Sequence, residues 1–392
     1  VKAIHFGAGS IGRGFIGDLL HDSGYQIVFI DVNAQLAEQM NKTGSYDLYL
    51  VDENYKKKTI NQVSALSPLT QKEQVIAAIC DADLITTSVW ADNLAKIAPV
   101  LHLGLLARKA KNRPKVNVVV CENAMENGDI LLAELLKCQP SVTKSELNQL
   151  ACFPNTAVDR LVLNSHRDGN DTIDIGRDFE LVIEKHKLVD STDEPIKGAE
   201  YTDNLSKYLA RKLYVINGGH AWAGYIGYVY GYDIIQDVFN DQKLVGQVKE
   251  TMREVAQLLV KQYQFDYQEL LDYIDFAVNR FQTPGIVDTI NRVCRSPIRK
   301  LAPQDRLVGP AVLCEQYQCD NHFIIKGIAA AFLFFNADDQ QCIELKQYIE
   351  QNSIEKAITH YTAIKPEASM YQQILQNYYE LKAIKQQHRH DG

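Results

Sequence analysis

The sequence predicts an α/β fold, with an N-terminal doubly wound sheet carrying extra strands followed by a mostly α-helical C-terminal domain. Three observations support this expectation. Lys2–Phe6 has the apolar pattern of a short strand and runs straight into Gly7-Ala8-Gly9-Ser10-Ile11-Gly12, after which apolar residues recur at helical spacing (Ile11, Phe15, Leu19, Leu20). Strand-like and helix-like runs then alternate as far as Leu188, the pattern of a sheet covered by helices. Beyond a polar linker at 190–197 that contains Pro195, apolar residues recur at helical spacing almost to the end. At 392 residues the chain exceeds the ~250–300 residues at which single cores stop growing. Two domains are therefore expected, at 1–192 and 193–392.

Composition narrows the function classes. Hydrophobic residues make up 46% and charged residues 23%, an ordinary globular balance, and the net charge of 41 − 49 = −8 argues against a general nucleic-acid partner. No charged segment followed by an apolar one opens the chain, so no signal peptide is expected. The longest apolar run, 324–335, is interrupted by Lys326 and falls short of the ~20 residues that span a bilayer. A cytoplasmic chain with no membrane partner is the expectation. Eight cysteines (Cys80, Cys121, Cys138, Cys152, Cys294, Cys314, Cys319, Cys342) are scattered without a CxxC pair, which predicts reduced, buried thiols.

The glycine run has the form G-x-G-x-x-G between a strand and a helix, the context in which that motif holds a dinucleotide. Gly7 makes the turn, Gly9 lets the backbone approach a pyrophosphate, and Gly12 lets the helix pack on the strand. Free N–H groups of Ala8, Ser10, Ile11 and Arg13 surround the phosphate position, and the Arg13 side chain suits pyrophosphate contact. The second strand, Gln26–Ile30, ends at Asp31, 19 residues after Gly12, where a carboxylate would bond the adenosine ribose hydroxyls and repel a 2′-phosphate. The N-terminal domain is therefore expected to be Rossmann-type and to take NAD.

A helix at 34–41 precedes two strands, 46–51 and 57–60, which form a hairpin around Asp52-Glu53-Asn54 with Lys56, Lys57 and Lys58 on a solvated edge. A helix at 71–80 leads to a strand at 83–88. Its end, Thr86-Thr87-Ser88, either bonds the cofactor ribose, with Thr87 as the candidate, or caps the helix that follows Trp90. Residues 108–115 carry five basic side chains, but they precede the strand Val116–Val120 and so lie away from the ligand end of the sheet; a solvated loop is expected there. Cys121-Glu122-Asn123 lies at the ligand end of that strand. Asn123 either donates to an alcohol or alkoxide oxygen or caps a turn, and Asn127-Gly128 opens the next helix. Strands are expected at 149–153, 172–175 and 179–183. Asp159 and Arg160 either pair with each other or reach the substrate.

In the second domain, helices are expected at 204–220, 232–240, 241–263, Tyr267–Phe281, 321–336, Gln340–Asn352 and 368–387. The first carries Lys212, Asn217 and His220 as K-x4-N-x2-H. At about 100° per residue, His220 stands roughly 80° from Lys212, and Asn217 roughly 60° beyond it. A lysine, an amide and an imidazole on one broad face suit proton removal from an alcohol; the alternative is the polar face of an amphipathic helix. Since this helix opens the second domain, its polar face is expected to look across a cleft at Asn123.

The chain resembles the polyol-specific long-chain dehydrogenase (mannitol dehydrogenase) family. The resemblance rests on Lys2-Ala3-Ile4-His5-Phe6-Gly7-Ala8-Gly9-Ser10-Ile11-Gly12-Arg13-Gly14-Phe15-Ile16-Gly17, Asp31-Val32-Asn33, Cys121-Glu122-Asn123 and Ala157-Val158-Asp159-Arg160. It continues in Thr202-Asp203-Asn204-Leu205 and the lysine helix, then in Arg299-Lys300-Leu301, Asp305-Arg306 and Gly327-Ile328-Ala329-Ala330-Ala331. It implies a metal-independent, NAD-dependent oxidoreductase interconverting mannitol 1-phosphate and fructose 6-phosphate. In that role Lys212 is the general base, Asn123 and Asn217 hold the alkoxide, His220 fixes a substrate hydroxyl, and Asp159 with Arg292 or Arg295 binds the polyol chain. Arg292, Arg295, Arg299, Lys300 and Arg306 are the candidate phosphate partners. The resemblance also implies a monomer or weak homodimer. Two alternatives stay open, namely a sibling acting on a free polyol or hexuronate and a non-catalytic dinucleotide-binding regulator.

Overall fold

The computed structural model describes all residues except Pro140, Asp168, 284–286, Asp391 and Gly392, and the side chains of Asn170, Arg389 and His390. Contacts divide the chain into two compact units, Val1–Tyr208 and Leu209–Gly392. No helix among the described residues is long and apolar enough to cross a membrane.

The first unit holds β1 (Lys2–Phe6), α1 (Gly17–Asp22), β2 (Gln26–Ile30), α2 (Ala34–Thr43), β3 (Ser45–Leu50), β4 (Lys56–Asn61), β5 (Val63–Leu66), α3 (Lys72–Asp81) and β6 (Leu84–Thr87). It continues with α4 (Leu94–Ala110), β7 (Val116–Val120), α5 (Asn127–Cys138), α6 (Lys144–Leu150), β8 (Ala151–Cys152), β9 (Thr156–Arg167), β10 (Asn170–Glu184) and β11 (Glu200–Thr202). Six strands form a parallel sheet in the order β5-β2-β1-β6-β7-β8. Strand order reverses between β1 and β6, so the crevice at the carboxyl ends of these two strands is the ligand position of this fold class. Central strands are buried on both faces, which explains the unbroken apolar run of Val118, Val119 and Val120. One face packs on α3, α4 and α5 through Ile79, Leu101, Leu105, Leu131 and Leu135. The other packs through Phe15, Ile16 and Leu19 on a second sheet, β11-β10-β3-β4 with β9 paired to β10, which supplies Leu48, Ile60, Ile173 and Ile175.

That second sheet is larger than the expected hairpin. The two short strands foreseen at 172–175 and 179–183 are one long strand, β10, whose register shifts between Ile175 and Phe179; its partner β9 was not foreseen. The expected strand at 149–153 is only partly one, because Gln149 and Leu150 close α6, which a Thr143/Glu146 capping box opens. Only Ala151–Cys152 is extended. Lys58 is not merely a solvated edge residue, because it bridges Asp18 at 2.6 Å and Asp22 at 2.7 Å. Nor is Arg108 in a solvated loop. It lies in α4, buried, and donates to the carbonyls of Ile79, Cys80, Ala82 and Pro114. All eight cysteines are free, but Cys138 is exposed and Cys152 and Cys319 are partly so.

The chain passes from the first unit to the second through α7 (Leu205–Arg211), and the second unit is helical. A π-helical turn at Lys212–Asn217 leads into α8 (Gly218–Val229), followed by α9 (Ile235–Asn240), α10 (Gln242–Tyr263), α11 (Tyr267–Phe281), α12 (Ile290–Cys294) and α13 (Pro297–Lys300). The remaining helices are α14 (Val308–Gln316), α15 (His322–Ala331), α16 (Gln340–Asn352), α17 (Ile354–Thr362) and α18 (Ser369–His390). The expected helix at 204–220 thus runs on to Val229. Four helices, α12, α13, α14 and α17, were not foreseen, and the first three are nine residues or shorter. α8 is the hub. Trp222, Tyr225 and Ile226 are fully buried, and the Trp222 indole donates to Phe323 O at 2.7 Å.

Candidate active site

In the first unit the candidate cofactor residues gather at the carboxyl ends of β1, β2, β6 and β7. Gly7 holds φ +101°, and a Cβ there would meet Ser88 O at 2.5 Å; a Cβ at Gly12 would stand 1.8 Å from Gly7 O. Packing within the chain therefore demands both glycines. Gly9 is different, because no protein atom lies within 4 Å of its Cβ position. Asp31 Oδ2 accepts from Ala8 N at 2.6 Å and Oδ1 from Asn33 N at 2.8 Å. The carboxylate thus ties the glycine turn to the end of β2 while remaining partly exposed. Arg13 donates from Nε to Ala8 O at 2.8 Å, and its first turn, Gly12–Ile16, is π-helical.

Beneath this turn lies a buried polar network. His5 is fully buried and pairs Nδ1 with Thr86 Oγ1 at 2.7 Å and Nε2 with Ser88 Oγ at 2.8 Å. Burial pulls its pKa down to about 3, so the ring is neutral. Glu122 is also buried and accepts from Thr87 Oγ1 at 2.8 Å, Val89 N at 2.8 Å and Trp90 N at 2.9 Å. Burial pushes its pKa up, and these donors oppose the shift. Thr87 is therefore an organiser of the loop, its hydroxyl engaged by Glu122, and the Thr86 and Ser88 hydroxyls bond His5 rather than capping a helix. Asn123, just after β7, is exposed, whereas Asn127 is buried and locks Glu122 O to Thr156.

Arg160 is settled by its partners. Its Nη1 bonds Asp18 Oδ2 at 2.6 Å with both side chains almost fully buried, its Nε donates to Gly176 O, and its guanidinium lies 5.4 Å from the Phe179 ring centroid. It clamps β9 and β10 onto the glycine-turn helix. Asp159 sits beside it on β9, half-buried and opposite Glu180.

In the second unit, Lys212, Asn217 and His220 lie on one continuous helical path, with Lys212 buried and the other two partly so. The path is not α-helical throughout. Gly218 N reaches Leu213 O, an i→i+5 bond. Such a turn takes one residue more than an α turn, so residues beyond it slip back by about 100°, and His220 moves from about 80° to about 20° from Lys212. The π turn therefore aligns the two better than the sequence spacing alone implied. Gly218 allows close packing, since a Cβ there would stand 2.8 Å from Arg306 O.

A pocket of about 130 Å³ is lined by Asn217, His220, Arg292, Arg295, Arg299, Lys300 and Arg306. Three of its cations have partners within the unit. Arg292 makes a bidentate pair with Asp288, Arg306 bonds Asp305 at 2.7 Å, and the buried Lys300 ammonium donates to Val293 O and Arg295 O. Burial, opposed by nearby Cys294 and joined by the repulsion of neighbouring arginines, pulls Lys300 down to about 8. The side chains of Arg295 and Arg299 are exposed and make no ion pair among the described residues. His220 stacks on Phe281 with centroids 4.2 Å apart. Its Nε2 is buried, stands 3.5 Å from Asp288 Oδ2, and has no hydrogen-bond partner among the described residues. Burial outweighs the pull of Asp288 and holds its pKa at about 3, so this is a neutral imidazole.

The structure thus groups Asn217, His220, Arg292 and Arg295 around one pocket. Lys212 lies on the same helical path but does not line it. Two residues had no assigned role in the sequence. Glu122 was legible only as part of a motif, and Asp288 only as an acid four residues before Arg292.

Residues 1–196 match the mannitol dehydrogenase Rossmann domain and residues 204–389 the mannitol dehydrogenase C-terminal domain. The chain belongs to the mannitol dehydrogenase family. Among its relatives, mannitol-1-phosphate 5-dehydrogenase of Caldanaerobacter subterraneus subsp. tengcongensis is 37% identical over 384 residues, covering 97% of this chain and 99% of the relative. The Geobacillus stearothermophilus protein of the same name is 36% identical over 381 residues, covering 97% and 100%. Among solved structures, a D-sorbitol dehydrogenase aligns with a TM-score of 0.82 at 15% identity, covering 98% of this chain and 94% of that one. A Pseudomonas fluorescens mannitol 2-dehydrogenase in complex with NAD and D-mannitol aligns at 0.70 and 19% identity, covering 99% and 94%. At that identity the structural likeness concerns the fold alone.

Proposed function

We propose that this member of the family interconverts D-mannitol 1-phosphate and D-fructose 6-phosphate with NAD as cofactor. Dinucleotide binding is assigned to 1–192 and substrate handling to 193–392. Full-length relatives with that name support the reaction, and the cationic pocket beside Asn217 and His220 is the observation that carries the phosphorylated substrate. An anionic phosphate gains more from these positive charges than an uncharged polyol does.

The chain's own residues divide the work as follows. Gly9, Ser10, Ile11 and Gly12 present backbone N–H groups to the pyrophosphate and Arg13 its positive charge, while the N–H groups of Gly7 and Ala8, bonded to Ile30 O and Asp31, hold the turn in shape, and Asp31 takes the adenosine ribose. The carboxylate is the reason to expect NAD rather than its 2′-phosphorylated form. NAD supplies the hydride acceptor. Lys212 accepts the proton of the substrate hydroxyl. The Asn123 and Asn217 amides donate to the oxygen on which negative charge develops, fixed dipoles that need no reorganisation during reaction. Neutral His220 holds a substrate hydroxyl, Asp159 accepts from the polyol chain, and Arg295 and Arg299 take the phosphate. Arg292, held by Asp288, adds charge and shape. No metal ion has a role in this scheme.

The test is NADH oxidation followed by absorbance with fructose 6-phosphate, fructose, fructuronate and tagaturonate in parallel. Turnover confined to fructose 6-phosphate is expected. Preference for an unphosphorylated substrate would move the chain to the sibling reaction, and tight NADH binding with no turnover would make it a binding protein.

A further inference from the structure

Trp90 combines two features that packing does not explain. Its side chain is 78% exposed, and its backbone sits at φ 72°, ψ 139°, a conformation that favours glycine and that a bulky residue adopts only when its surroundings enforce it. The enforcing group is Glu122, buried and bonded at once to Thr87 Oγ1, Val89 N and Trp90 N. A strained backbone that ends by showing an indole to solvent has no value for folding. Strain of this kind accumulates where a ligand is met.

The position of Trp90 identifies the ligand. The loop Ser88-Val89-Trp90 leaves the carboxyl end of β6 and packs against the glycine turn, with Ser88 O 2.5 Å from where a Cβ of Gly7 would be. Asp31, the adenosine-side acid, follows β2, on the other side of β1 in the strand order β2-β1-β6-β7. A dinucleotide laid across the switch point with its adenosine over β2 therefore carries its nicotinamide half over β6 and β7. The next loop, after β7, holds exposed Asn123 and 63% exposed Met125.

We propose that Trp90 is a cofactor-contacting residue whose indole face packs on the nicotinamide half of the bound dinucleotide, so that the exposed ring is half of an incomplete aromatic stack. This rests on the dinucleotide reading of the first unit and adds the residue that discriminates oxidation state. The oxidised nicotinamide ring is cationic and electron-poor and the reduced ring is neutral. An electron-rich indole therefore favours NAD⁺ over NADH.

The chain contains two tryptophans, and Trp222 is fully buried, so acrylamide quenching of tryptophan fluorescence reports Trp90. Saturating NAD⁺ is expected to cut the quenching slope of the wild type several-fold, and W90F is expected to show only the small, NAD⁺-independent slope of Trp222. By calorimetry, W90A is expected to raise the Kd for NAD⁺ about 2- to 30-fold, the range of a cation–π contact, and the Kd for NADH by less. W90G removes the ring and the strain together, so it is expected to melt at a higher temperature while binding NAD⁺ more weakly. A purely structural Trp90 would move both Kd values alike and lower the melting temperature. If calorimetry shows NAD⁺ binding while the quenching slope of the wild type is unchanged, the proposal falls and the dinucleotide reading stands. If neither NAD⁺ nor NADH binds, both fall.

Discussion

The cationic pocket gives the sharpest quantitative expectation. Of its five cations, Arg292, Arg306 and Lys300 are each held by Asp288, Asp305 or two backbone carbonyls, whereas Arg295 and Arg299 are exposed and make no ion pair among the described residues, so their full donor sets can turn to an anion. A hydrogen bond to a charged group contributes about 1.5–3 kcal/mol, and exposure of both arginines favours the lower end through solvent screening. At about 1.5–2 kcal/mol, R295Q or R299Q should each lower kcat/KM for fructose 6-phosphate roughly 10- to 30-fold. The loss should fall mainly on KM, because the phosphate lies away from the reacting carbon and is bound alike in ground and transition states. Since the two side chains share one anion, the double variant should lose less than the product of the single effects. The assay is steady-state NADH oxidation with fructose 6-phosphate beside fructose at high concentration. Equal losses on both substrates, or no loss on the phosphorylated one, would refute the assignment of this pocket to phosphate.

Three further outcomes are expected. E122A should leave Val89 N and Trp90 N without their acceptor, at about 1–3 kcal/mol per unsatisfied group. It should therefore lower the melting temperature and weaken NADH binding together; unchanged NADH affinity would count against an organising role. R160M strands the buried Asp18 carboxylate with Lys58 as its remaining cation, so it should cost about 3 kcal/mol, the lower end for breaking a buried pair. A denaturation midpoint equal to wild type would contradict this. Lys300 loses its proton in the folded chain as pH rises through about 8, whereas the unfolded chain keeps its proton to about 10.4. Across that window the folded pocket loses a positive charge, so KM for fructose 6-phosphate should rise from pH 7 to 9, while this group's effect on stability increases with pH because the unfolded state binds more protons. K300M should therefore flatten the KM profile; an unchanged rise would refute the link.

The glycine turn, Asp31 and the parallel strands were legible because each rests on local pattern, a motif between a strand and a helix or a run of β-branched residues. The helices Tyr267–Phe281 and Gln340–Asn352 were legible for the same reason, being long and strongly periodic. What local pattern missed is instructive. β9 and β10 pair across a register shift that no periodicity announces. α12 and α13 are too short to show a period. The spacing of Lys212 and His220 was visible, but the π turn that changes their relative angle, which ends where Gly218 packs close to Arg306 O, was not. Arg160 and Arg108 looked like candidates for solvent or substrate because sequence shows charge and not partner. Each is instead a buried clamp whose acceptors lie far along the chain, such as Asp18 for Arg160. Glu122 and Asp288 were passed over for the converse reason, since their importance lies in the donors they collect.

The account's central claim is that Lys212, buried at the start of the π turn, takes the proton. The direct measurement is single-turnover NADH oxidation with saturating fructose 6-phosphate for wild type and K212A, with NADH affinity measured in parallel by fluorescence titration. In this direction Lys212 returns the proton to the oxygen of the reduced carbonyl, so loss of this positioned acid–base group should slow turnover by about 10²–10⁴-fold with the Kd for NADH unchanged. A K212A enzyme that retains most of its turnover, or one that loses NADH binding along with it, would contradict the claim.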